Sequence, residues 1–132
     1  MRMVSVIAGW AMVMGGAAWA APAQAPRFVA LETIQHGLWQ FREVGEAPRA
    51  MCVRDPVTLF QLRNRGAQCT RFVIENSPTV STVHLTCPGR GHSRTTITVQ
   101  TPRLVHIETE GIEGGAPFSH DIQARRTGDC PA

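Results

Sequence analysis

The stretch Arg94-Thr95-Thr96-Ile97-Thr98-Val99-Gln100, followed after Thr101-Pro102-Arg103 by Leu104-Val105-His106-Ile107-Glu108-Thr109-Glu110, decides the fold class. Both runs alternate apolar and polar residues with the two-residue period of a half-buried strand. Pro102 marks the turn between them. Placing the apolar residues together fixes the register, because a slip of one residue would turn every side chain to the wrong face. Val99 then faces Val105 and Ile97 faces Ile107. On the other face Thr98 meets His106, Thr96 meets Glu108, and Arg94 meets Glu110. One apolar and one solvated face is the pattern of an antiparallel sheet.

The pattern extends on both sides of this hairpin. Before it, Thr79 to Cys87 alternates, with Val83, Leu85 and Cys87 on one face. Pro88-Gly89-Arg90-Gly91-His92 reads as a hairpin turn. It lacks the Lys-Ser/Thr of a phosphate loop, and no helical pattern opens behind it. After the hairpin, Gly111 to Pro117 reads as a glycine-rich loop. A closing strand follows with Phe118, His120, Ile122 and Ala124 on one face, and the chain then reaches Cys130.

Toward the N-terminus, Gly37 precedes the strand Leu38-Trp39-Gln40-Phe41-Arg42-Glu43-Val44, and Gly45-Glu46-Ala47-Pro48 turns into a partner strand at Arg49–Val53. Trp39, Phe41, Ile97, Val99, Val105, Ile107 and Ile122 are the expected core anchors. Asp55-Pro56 is an N-cap followed by proline at the first helical position, so one short helix is expected near 56–63, stopped by Gly66. Cys69 to Glu75 is apolar on both faces around its middle, and that helix is its expected cover, over Phe72 and Ile74. Phe28 to Ile34 suits either a short strand or a helical turn. The fold class is mainly all-β: a single antiparallel curved meander sheet, or a partly closed barrel, of six to seven strands.

The chain of 132 residues opens with Arg2, an apolar run from Val4 to Val13 and the small-residue site Ala18-Trp19-Ala20. These are the parts of a secretory signal peptide, expected over 1–20 with cleavage after Ala20. The run is too short to span about 30 Å of hydrocarbon, and no transmembrane segment is expected after cleavage. Residues 21–35 read as a leader of uncertain structure and 36–130 as one β-domain. The expected location is the periplasm or the secreted medium. All 13 basic residues are arginine, and the formal net charge is +3. That balance is too weak and too evenly spread to argue for nucleic acid.

Cys52, Cys69, Cys87 and Cys130 in an exported chain read as two disulfides, for which three connectivities are open. The preferred one, Cys52–Cys69 with Cys87–Cys130, is worth roughly 3 and roughly 4 kcal/mol in the chain-entropy model. None of the four sits in the close pairs of a zinc site.

Catalytic signals are sparse. His36 and His92 fall in loops, and His84, His106 and His120 on different strands. Glu108 and Glu110 share a strand face without the asymmetry of an acid–base pair. Ser81, Ser93 and Ser119 lack a nucleophile elbow. No catalytic, metal or cofactor residues are expected. The expected function is a non-enzymatic binding or interaction module, with a structural or stress-related envelope protein as the alternative and a metal-dependent or hydrolytic enzyme behind both. The expected partner is a small molecule or an envelope protein.

Several short motifs occur in a fixed order: Gly37-Leu38-Trp39-Gln40, then Cys52-Val53-Arg54-Asp55-Pro56, then Cys69 and Thr86-Cys87-Pro88, and finally Arg125-Arg126-Thr127-Gly128-Asp129-Cys130. In this order and spacing, over residues 36–130, the chain resembles the bacterial exported proteins of domain of unknown function 3617. It departs from them in the short turn Gly45-Glu46-Ala47-Pro48, where they carry a Met- and Gly-rich loop. The resemblance implies a periplasmic β-protein and supplies no catalytic residues.

Overall fold

The computed structural model describes residues 15–22 and 25–132. The expected signal peptide lies outside the described residues over positions 1–14. Seven strands form one open, wholly antiparallel sheet: β1 (Gly37–Glu43), β2 (Arg49–Val53), β3 (Thr70–Asn76), β4 (Val80–Cys87), β5 (Gly91–Thr101), β6 (Leu104–Glu113) and β7 (Ala116–Gly128). Their spatial order is β2-β1-β7-β6-β5-β4-β3. Strands β3 to β7 make a meander, and the β1–β2 hairpin joins it along β7.

The β5–β6 register is the one that the apolar pattern dictates, with Val99 opposite Val105 and Ile97 opposite Ile107. The next turn is tighter than the expected glycine-rich loop over 111–117. β6 runs to Glu113, β7 starts at Ala116, and only Gly114-Gly115 lies between them. Both glycines have positive φ, +58° and +80°, which the two-residue hairpin turn with right-handed strand twist demands.

Because β2 and β3 lie at opposite edges, the connection 54–69 must cross the concave face. It does so as a 3-10 helix, Pro56–Gln61, shorter than the helix expected near 56–63. Asp55 caps it as the sequence indicates, its Oδ1 accepting the Val57 N–H at 3.0 Å. The β-branched Val57 and Thr58 follow a fixed proline, and the three-residue repeat stacks Pro56 under Leu59. Leu59 and Phe60 are buried, against β5.

That helix does not cover β3. Phe72 is 70% exposed and Ile74 44%. Phe72, Val73 and Ile74 alternate as an ordinary strand does, one inward residue, Val73, between two that face solvent, and the bulge lies between Val73 and Glu75. Its apolar content never had two buried faces to serve. The helix instead meets Phe28, whose ring centroid lies 4.8 Å from that of Phe60. Phe28, Ala30, Leu31 and Ile34, around a short 3-10 turn at Leu31–Thr33, are all buried in the same core.

Trp39, Phe41, Ile97, Val99, Val105, Ile107 and Ile122 are buried in that core, with Val53, Val83, Leu85 and Ala124. Trp39 is fully buried, and its indole N–H donates to the Gln35 carbonyl at 3.0 Å, as a buried indole requires.

The disulfides are Cys52–Cys130 and Cys69–Cys87, which overturns the preferred pairing. Cys52 on β2 and Cys69 at the head of β3 are close in sequence but sit at opposite edges of the sheet. Cys69 instead lies opposite Cys87 across the β3–β4 hairpin, Cα to Cα 4.2 Å. Two disulfides fit an oxidising, extracytoplasmic compartment. Among the described residues no helix is long and apolar enough to cross a membrane.

Candidate functional site

Three places bring chemistry-bearing side chains together. At one end of the sheet β5, β6 and β7 run beyond the end of β1, and inward positions there turn polar. The two hydroxyls of Thr95 and Thr109, on adjacent strands, bond each other at 2.7 Å in the interior. Beside Thr109 lies His120, its cross-strand neighbour.

His120 stands between an acid and a base. Its Nδ1 is 2.7 Å from Glu43 Oε1, and its Nε2 is 3.1 Å from Arg63 Nη1. A guanidinium only donates, so Nε2 is the acceptor, and the proton sits on Nδ1, donated to Glu43. Arg63 also donates Nε–H to Glu113 Oε2 at 2.9 Å and lies 4.9 Å over the ring of Phe118. The result is a chain Glu43–His120–Arg63–Glu113, the first three members of which line a cleft of about 180 Å³ together with Arg49. Its acids and bases are mutually paired, which makes it a stiff wall more than a reactive centre. Its members lie 77, 57 and 50 residues apart, and nothing local in the sequence announces it. The pairing of β1 with β7, which sets Glu43 opposite Ile122, is what assembles it.

The solvent face of the sheet carries the residues that a metal reading would use. His106, Glu108 and Asp121 each offer one ligand atom, all within 4.8 Å of one another, with both acids exposed. His106 Nε2 is already 2.5 Å from Asp121 Oδ1. Glu110 is not part of the group. His84 stacks on His92 at 5.5 Å, nearer β3. The five histidines are therefore not gathered into one site.

The third place is the gap between the edges. Cys52 and Arg54, at the end of β2, and Arg71 of β3 line the same cleft, so both unpaired edge strands border it. The crossing segment forms the floor, including Val57, Gln61, Arg65 and Ala67. Its volume is about 460 Å³, within the size range of small-molecule sites. Arg54, Arg65 and Arg71 have no acidic partner among the described residues. Arg71 donates to Gln61 Oε1 at 3.4 Å, and the one carboxylate present, Asp55, accepts the Val57 N–H.

Comparison with protein-family models, curated proteins and solved structures gives no match to this chain.

Proposed function

We propose that the protein is an exported, periplasmic binding module that holds a ligand without transforming it, in the cleft between the two edges of its curled sheet. The observation that carries this reading is the cleft itself. It is a concavity of about 460 Å³ that joins an apolar floor, Val57 and Ala67, to guanidinium groups with no acidic partner. Such a mixture of apolar wall and a few polar groups is the usual make-up of a ligand site. Support for export comes from the signal-like N-terminus and the disulfide frame. The ordered Gly-Leu-Trp and cysteine motifs support kinship with the exported proteins of domain of unknown function 3617.

The test is native mass spectrometry of protein purified from periplasm, with and without Ala67→Trp, which fills the cleft floor. A co-purified molecule or partner lost on filling the cleft supports the reading. A protein that carries nothing, and that no periplasmic extract stabilises, refutes it.

A further inference from the structure

We infer that the inter-edge cleft takes a small anion of two or more negative charges, such as a phosphorylated or polycarboxylate molecule. This rests on the binding reading above and adds the ligand's chemistry. The three arginines come from three separate elements: Arg54 follows β2, Arg65 follows the crossing 3-10 helix, and Arg71 lies on β3. They nonetheless line one cleft, against a single carboxylate already engaged in capping.

Ten acidic groups are present in the chain, and three of the nine described arginines outside the cleft pair with them. Arg27 pairs with Glu32, Arg63 with Glu113, and Arg126 with Asp129. Three guanidiniums against one carboxylate leave the cleft with a net positive charge. An anion that accepts from several of them balances that charge and gains charge-assisted, two-pronged hydrogen bonds. Val57 and Ala67 leave room beside the charges for a small apolar body. Arg54 directly follows β2, on the edge held by the Cys52–Cys130 bridge, and Cys69–Cys87 fixes the β3 edge that carries Arg71. The cleft is thus framed before its ligand arrives, which lowers the ordering cost of binding.

The experiment is titration calorimetry of the mature, disulfide-intact protein with inorganic pyrophosphate, with citrate and with neutral sucrose. A parallel arm measures sedimentation with phosphatidylglycerol or phosphatidylcholine vesicles. The expected result is one-to-one binding of pyrophosphate or citrate and none of sucrose. Arg54→Gln, Arg65→Gln and Arg71→Gln each weaken it about tenfold, and the triple variant abolishes it. Arg90→Gln with Arg125→Gln removes two charges away from the cleft, more than any single cleft variant, and leaves binding within about twofold. Pyrophosphate binding alone assigns a soluble anion, and phosphatidylglycerol binding alone a lipid headgroup. In both arms the triple variant must lose it. Equal weakening by the distant pair, or no binding of any anion, overturns the inference. A neutral native ligand in the cleft also overturns it while leaving the binding-module reading intact. Circular dichroism of each variant excludes unfolding as the cause.

Discussion

Cys130 is bonded to Cys52, which lies on the far side of β1 from the strand that leads to it. The last residues of the chain therefore reach across β1 and clamp β2. The closing strand is a clasp, but one that holds the N-terminal hairpin rather than the central one. Peptide mapping without reductant is expected to yield Cys52–Cys130 and Cys69–Cys87 and no Cys87–Cys130 peptide. With partners 78 and 18 positions apart in sequence, loop entropy puts the two bridges at roughly 4.5 and roughly 3 kcal/mol. Cys52→Ser with Cys130→Ser should thus lower stability more than Cys69→Ser with Cys87→Ser. The reverse order would remove the entropic account.

Phe72 and Phe60 separate the two ideas of where the crossing helix packs. Phe60 is buried against Phe28, and Phe72 is open to solvent. Phe60→Ala is expected to cost about 3–5 kcal/mol in urea unfolding, the usual loss for a truncated core aromatic. Phe72→Thr should stay within about 0.5 kcal/mol, as exposed substitutions do. A large loss at Phe72 would restore the cover that the apolar run Phe72-Val73-Ile74 first indicates.

The central hairpin was legible because both partners of each pair lie within a few residues and one face is buried. A slipped register would expose Ile97 and Val99 together. The Asp55-Pro56 start was legible for the same local reason. What the sequence could not show was which strand β7 meets on its far side. That one pairing, β1 with β7, selects Cys52 as the partner of Cys130, brings Glu43 to His120, and sends the 54–69 segment across the sheet to make the arginine-lined cleft. Each of these depends on residues far apart in the chain, and alternation alone carries no partner information. The bulge between Val73 and Glu75 is likewise invisible to alternation, since Phe72, Val73 and Ile74 keep period two.

Gly91 and Gly111 mark where β5 and β6 approach each other too closely for a β-carbon. A β-carbon on Gly91 would run into the Ile112 carbonyl oxygen, and one on Gly111 into the His92 carbonyl oxygen. Gly91 also has φ +138°, which L side chains rarely adopt. Gly91→Ala and Gly111→Ala are each expected to lower stability by about 2 kcal/mol or more, through backbone displacement rather than lost contacts. Gly128→Ala, with open space around it, serves as the control and should change stability by no more than about 0.5 kcal/mol. Thermal unfolding of the three variants checks the contrast. Equal stability would mean that the close approach of the two strands does not require glycine at these positions.

Glu43 and His120 should behave as a unit. Their side chains are only 18% and 23% exposed, so each removes the other's polar atoms from water, and truncating one leaves its partner unsatisfied. His120→Ala is expected to cost about 1–3 kcal/mol and Glu43→Gln about 1 kcal/mol. The double variant should cost less than the two together, with a coupling of at least about 0.5 kcal/mol. Arg63 tests the far side of the chain. Arg63→Met keeps an apolar stem near Phe118 but removes the donor to His120 Nε2. Because its side chain is 44% exposed, the loss should be smaller, at most about 1 kcal/mol. Denaturant unfolding at fixed pH measures all four variants. Strict additivity of His120 and Glu43 would mean that the short contact between them contributes nothing to holding β7 against β1, and the cleft wall would have to be explained by backbone pairing alone.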